Sequence, residues 1–157
     1  MEGPDRVRVG VADAAVASGN AELVTSGLGS CVGVALFDGR GVGGLLHAML
    51  PDAPESVDNP WKYVDSGVGV LVSELERRGA SRDELTGKLT GGSSMLDLGG
   101  GEPIGEKNVR AAKRVLEESE ITLAADETGG ASGRSVRFHP RTGVLRIKRV
   151  DSAVMEI

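Results

Sequence analysis

The run Cys31-Val32-Gly33-Val34-Ala35-Leu36-Phe37, followed by Asp38-Gly39-Arg40-Gly41 and then Val42-Gly43-Gly44-Leu45-Leu46-His47-Ala48-Met49-Leu50 up to Pro51, decides the fold. Both apolar segments are short, and the Asp-Gly pair between them is a strong turn signal. They predict two buried strands, 31–37 and 42–50, paired antiparallel across the loop Asp38–Gly41. With the turn centred near Gly39-Arg40, pairing sets position 31 opposite position 47 or 48. Cross-strand neighbours lie roughly 4.5–5.5 Å apart at Cβ, so this register brings His47 beside Cys31.

Working outward, Val7, Val9 and Val11 alternate with polar or small residues and predict a half-buried strand over 6–12. Ser18-Gly19-Asn20 reads as a turn, and 23–25 as a short extended run. The stretch 52–60, which contains Pro54 and Pro60, is a loop. A helix is expected from Asn59 or Pro60 to Arg78, because Val64, Val68, Leu71, Val72 and Leu75 fall on one helical face. Arg77 and Arg78 suit its negative end, and Gly79 its stop. A strand over 85–90 leads into Gly91-Gly92-Ser93. A second helix runs from Gly105 or Glu106 to Ser119, with Val109, Ala112, Val115 and Leu116 inward. A strand over 121–125 and a Gly-rich loop over 126–133 follow. A last hairpin pairs 135–139 with 144–150 across Pro140–Gly143. Eight short strands and two helices without strict βαβ alternation predict an α+β, layered mixed α/β fold. No linker divides the chain, so 1–157 is expected to be one domain.

Composition narrows the function. Hydrophobic residues make up 39% and charged residues 26%, the balance of a folded soluble chain. The net charge of −5 argues against a nucleic-acid binder. Arg134, Arg137, Arg141, Arg146, Lys148 and Arg149 gather late in the chain. Those after the turn alternate with apolar residues, as on a solvated strand face. One cysteine allows no internal disulfide and no zinc-type Cys pair. Met1 to Gly10 carries charge without an apolar run, and no window is long and apolar enough for a membrane helix. A cytoplasmic protein without signal peptide or membrane insertion is expected.

Chemistry concentrates around Gly27-Leu28-Gly29-Ser30-Cys31. Glycines before the thiol let the backbone turn sharply, and amides of such a turn, around Gly29 and Ser30, can converge on an oxyanion. A thiol becomes nucleophilic when a neighbour takes its proton, and His47 on the facing strand is the candidate base. A single cysteine in a Val-rich run is also the pattern of a small core residue. A histidine in an apolar strand likewise fits a satisfied core group. The residues alone leave both readings open.

Other motifs carry less. Gly39-x-Gly41-x-x-Gly44 matches a dinucleotide fingerprint but leads into a strand, not a helix, so no helix N-terminus awaits a pyrophosphate. His139 lies far from His47 in a turn, is expected to be exposed, and gives no metal spacing; no metal or other cofactor is expected. Asp126-Glu127 could touch substrate but better fits turn chemistry. Trp61 is expected to pack at the helix start, with a partner anchor as its alternative.

Several blocks together resemble the CheD family of chemoreceptor glutamine deamidases. They are Leu28-Gly29-Ser30-Cys31, the Gly43-Gly44-x-x-His47-x-Met49-Leu50-Pro51 run, and Lys62-Tyr63-Val64-Asp65. Gly91-Gly92-Ser93-Ser94-Met95, Ile104-Gly105 with Asn108-Val109, Asp126 with Gly129-Gly130, Gly133-Arg134-Ser135-Val136 and Thr142-Gly143 follow in family order. The resemblance implies a chemotaxis enzyme that hydrolyses glutamine side chains of methyl-accepting chemotaxis receptors to glutamate, releasing ammonia. It places the family's catalytic Cys, His and Thr on Cys31, His47 and Thr25, with Ser26 adjacent to the last. It implies a fold similar to the toxin deamidases with a Cys–His pair. It also implies a CheC-type phosphatase as a partner, which makes a regulatory adaptor the alternative reading. A cysteine amidase or peptidase for other substrates is a third.

Overall fold

A computed structural model describes residues 5–94, 101–150 and 152–157. Among them the chain forms ten strands and two α-helices. The strands are β1 (Asp5–Arg8), β2 (Asp13–Ser18), β3 (Ala21–Leu28), β4 (Val32–Phe37), β5 (Val42–Ala48), β6 (Thr86–Gly91), β7 (Thr122–Thr128), β8 (Arg134–His139), β9 (Val144–Arg149) and β10 (Val154–Glu156). The helices are α1 (Val64–Arg77) and α2 (Ile104–Glu118). One sheet has the order β1-β3-β8-β9-β10 and the other β2-β5-β4-β6-β7. Each mixes parallel with antiparallel neighbours, through β1 beside β3 and β6 beside β7. The expected α+β architecture of mixed sheets with two helices is therefore present.

Alternation of side chains across the second sheet builds two cores. Val32, Val34, Leu36, Leu46 and Ala48 face the helices and meet Val64, Val68, Leu71, Leu75, Ala112 and Leu116. Ala35 and Leu45 face the other way and meet Leu23, Val136, Phe138, Leu145 and Ile147 of the first sheet. The order of layers is thus first sheet, second sheet, helices. With only 3% aromatic residues, aliphatic side chains fill both interfaces. The outer face of the first sheet carries the alternate, exposed residues of β8 and β9.

The deciding hairpin forms as expected, with Phe37 opposite Gly43 and the loop between them. The Asp38 Oδ1 accepts the amides of Arg40 at 2.8 Å and Val42 at 3.0 Å, which shapes the turn. The register differs from the expectation. His47 lies opposite Gly33 and Ala48 opposite Val32, while Cys31 sits in the turn just before the strand.

Other boundaries moved for identifiable reasons. The first strand stops at Arg8 because the chain reverses at Ala12, where φ is +56°, and crosses to the second sheet. There β2, an Ala-rich segment without apolar alternation, pairs with β5. Neither β2 nor the edge strand β10 has a periodic signal, so eight expected strands became ten. The first helix is divided. Pro60–Lys62 form a 3₁₀ turn capped by Asn59, and Tyr63 is extended at φ −113° and ψ 142°. The cause is a stitch to the end of β5: Met49 and Leu50 donate to the Lys62 carbonyl, and Val64 donates to Leu50.

Asp38→Ala removes the acceptor of two turn amides. It is expected to cost about 1–2 kcal/mol, seen in urea as a lower midpoint with unchanged slope.

Candidate active site

Thr25 and His47 come from different sheets and meet between them. Thr25 faces inward from β3, and a register shift in the pairing with β8 follows it, between Thr25 and Leu28. Its hydroxyl donates to the Val9 carbonyl at 2.7 Å. The same oxygen lies 2.7 Å from His47 Nδ1. A hydroxyl has one proton, and that proton is committed to Val9, so Nδ1 must carry the hydrogen and donate to Thr25. His47 is therefore the Nδ1–H tautomer, and its Nε2 is a bare acceptor. That Nε2 is buried and has no hydrogen-bond partner among the described residues. His47 is fully buried and Thr25 is 3% exposed. Ser26, the alternative to Thr25, is exposed and lines a hollow on the outer face.

Cys31 occupies the turn between β3 and β4, two residues before the Gly33 that faces His47. Cys31 is half-buried and packs against the inter-sheet core, which Ala35 and Leu45 also face. Gly33 is closely covered by neighbouring side chains. A Cβ there would stand 3.2 Å from Leu28 and 3.4 Å from the Thr90 methyl. Burial pushes the Cys31 thiol above its ordinary pKa, partly opposed by its own backbone amide. Burial also lowers the pKa of His47. Both shifts favour a neutral thiol and a neutral imidazole at rest.

The Cys31 turn is held from three sides. Gly92 donates to the Cys31 carbonyl and Ser93 to the Gly29 carbonyl, each at 2.8 Å. Gly91 has a φ of +97°, and a Cβ there would fall 2.4 Å from the Cys31 carbonyl oxygen, so only glycine permits this approach. Asn108 of α2 is fully buried, and its Nδ2 donates to both the Ser30 and the Met49 carbonyls at 2.9 Å. One amide group thus ties the residue before Cys31 to the segment just after His47. Gly105 lets α2 come this close, since a Cβ there would sit 2.3 Å from the Ser93 carbonyl oxygen. The sequence carried a signal for Asn108: it is the polar residue on the otherwise apolar face of α2.

Several candidates stand apart. His139 is not simply exposed; its Nε2 contacts Glu22 Oε2 at 2.7 Å, away from His47. Asp126 and Glu127 lie in β7 rather than in a turn. Glu127 takes two hydrogen bonds from the buried Arg134, which holds its carboxyl below the usual range. Trp61 packs partly buried against the helix-side core. The Gly39, Gly41 and Gly44 set lies in the hairpin.

The chain matches the family model "CheD chemotactic sensory transduction" over residues 49–149. It is 47% identical over 149 residues to "Probable chemoreceptor glutamine deamidase CheD" of Pyrococcus horikoshii, covering 92% of each chain. The chain belongs to the CheD family. A second CheD relative, from Methanosarcina acetivorans and printed as "Probable chemoreceptor glutamine deamidase CheD 1", is 43% identical over 94% of both chains. Among solved structures, Bacillus licheniformis YfiH shares the fold with a TM-score of 0.51 at 12% identity, covering 76% of this chain and 51% of that one. Of the blocks that carry the CheD resemblance, Leu28 to Cys31, His47 with Met49, Gly91 to Ser93 and Asn108 meet at this one region. Met95 lies outside the described residues.

Asn108→Ala in this CheD chain leaves two buried carbonyls without their donor, at about 1–3 kcal/mol each, measurable by urea denaturation. The same variant should alkylate Cys31 with iodoacetamide faster than the parent and with a shifted pH profile. In the parent, alkylation should rise with pH to a midpoint above the ordinary thiol value, because burial disfavours the thiolate.

Proposed function

We propose that this CheD protein is a protein-glutamine deamidase, an amidohydrolase that converts glutamine side chains of chemotaxis receptors to glutamate. Its kinship to the named deamidases supports the activity. The observation that carries the mechanism is the Thr25–His47 arrangement: a buried histidine held as one tautomer, whose Nε2 has no hydrogen-bond partner among the described residues.

In the proposed reaction the Cys31 thiol gives its proton to His47 Nε2 as the sulfur attacks the glutamine Cδ. The oxygen of the tetrahedral intermediate takes hydrogen bonds from backbone amides of the turn. Gly29 donates its amide to the Gly27 carbonyl at 3.0 Å, so the donors assigned here are those of Ser30 and Cys31. The imidazolium protonates the departing nitrogen, ammonia leaves, and a thioester remains. Water then loses a proton to Nε2 as it attacks the thioester carbon. Cleavage of the C–S bond gives glutamate, and the proton returns to sulfur. Thr25 is a positioning residue: it keeps Nδ1 protonated and the ring oriented. A hydroxyl stabilises the imidazolium less than a carboxylate does, which fits the lowered His47 pKa and predicts a slow enzyme.

The receptor is the proposed macromolecular partner, and the protein is assigned to the cytoplasm as one domain over 1–157. No helix among the described residues is long and apolar enough to cross a membrane. A CheC-type phosphatase is proposed as a regulatory partner; one seated over the Cys31 turn would inhibit by competition.

Mass spectrometry of a receptor cytoplasmic fragment incubated with the protein should show the unit mass gain of amide-to-acid conversion at selected glutamines. Cys31→Ala should abolish it with the fold intact; full activity in that variant rules the mechanism out. Thr25→Ala should lower kcat by roughly 10²-fold, the scale of misplacing a general base. Since burial lowers the His47 pKa, the acidic limb of kcat should lie below the ordinary histidine value and move back toward it in Thr25→Ser only if the ring is displaced.

A further inference from the structure

Among the described residues, no layer covers the outer face of the first sheet. Along β8 and β9, Val136, Phe138, Leu145 and Ile147 turn inward, so Arg137, Arg146 and Lys148 turn outward beside Arg6 and Arg8 of β1. They surround a hollow of about 440 Å³. A smaller hollow of about 190 Å³ shares Ser135 and Lys148 with it and ends at Gly27, Arg134 and Arg149. The two hollows adjoin through these shared residues as a groove on the sheet's outer face, and the smaller reaches Gly27, four residues before Cys31.

Its charge opposes that of the whole molecule. The chain carries −5, yet the larger hollow is lined by five basic residues and no acidic one. Two carboxylates offset part of this: Glu22 lies 3.4 Å from Arg6 and 3.9 Å from Arg137, and Glu156 lies 3.2 Å from Arg146. Lys148 donates to the Ser152 carbonyl, which leaves its charge unneutralised by that contact. A concave surface of one sign focuses its field and draws in the opposite charge.

We propose that this groove docks an acidic stretch of the protein substrate beside the target glutamine, pairing its carboxylates with Arg8, Arg137, Arg146 and Lys148. This rests on the deamidase reading, since it is the groove's course toward the Cys31 turn that favours a substrate segment over another anionic partner. Exposed ion pairs steer and orient more than they stabilise, so the effect belongs in KM and in its salt dependence. Each turnover creates a carboxylate. The groove therefore holds a segment more firmly as its glutamines are converted.

The test compares the parent with the Arg137→Gln, Arg146→Gln, Lys148→Gln triple variant on a receptor cytoplasmic fragment and on a short neutral glutamine peptide. At low salt the triple variant should raise KM for the fragment roughly tenfold with kcat unchanged, and should flatten the rise of KM with salt. KM for the neutral peptide should not change. Equal KM values on the fragment, or equal losses on both substrates, overturn the proposal. Fluorescence anisotropy of the labelled fragment with Cys31→Ala protein, with and without the triple change, reads docking without catalysis. Failure of the parent to deamidate the fragment defeats the deamidase reading, whereas undiminished fragment binding by the triple variant defeats the groove alone. A parent dimer that the triple change dissociates, or triple-sensitive binding to anionic vesicles in place of the fragment, also overturns it.

Discussion

The hydrogen bond from His47 Nδ1 to Thr25 Oγ1 joins the two sheets at the candidate site, and the proposed chemistry depends on it. Thr25 can accept only because its proton is committed to the Val9 carbonyl. Val9 in turn donates its amide to the Val24 carbonyl, so the strand beside Thr25 is part of the same arrangement. A three-link chain, backbone to hydroxyl to imidazole, thereby selects one tautomer without a charged residue. It lets a histidine remain fully buried and neutral, with Nε2 unpartnered among the described residues. A carboxylate in place of Thr25 would favour the imidazolium at rest; a hydroxyl does not.

The second constraint is the backbone around Cys31, the proposed nucleophile. Cys31 is in a turn, and turns wander unless something holds them. Here loop 91–93 and Asn108 hold it by hydrogen bonds to consecutive carbonyls, 29 through 31. Glycines at 91 and 105 are required because backbone meets backbone at distances no Cβ tolerates. These contacts leave carbonyls satisfied and the amides of Ser30 and Cys31 free of backbone partners among the described residues. That polarity suits a site receiving a developing negative oxygen.

The outward basic face follows from the same strand alternation that builds the inter-sheet core. On β8 and β9 one face must be apolar to meet β4 and β5, so the other is available for charge. Arg134 departs from this rule. It is buried and bonded to Glu127, Ser132 and Gly129, and it closes the groove's end near the glycine turn.

Much of the fold was legible because it rests on local patterns. The Asp38-Gly39 turn, the apolar stripes of α1 and α2, and the alternation of β8 and β9 all announce themselves within a few residues. Strand β2 did not, since an Ala-rich edge strand owes its conformation to pairing with β5 rather than to propensity. Cys31 and His47 were visible as candidates from the glycine turn and the hairpin, and Thr25 through the family resemblance. By itself, the sequence determined that His47 and Thr25 lie on short strands of a layered α+β chain. Only the tertiary structure decided the register that sets His47 against Gly33, the partner that selects its tautomer, and the convergence of Asn108 on the turn. Those depend on contacts between residues 14 to 78 positions apart, and no local pattern encodes a distance of that kind.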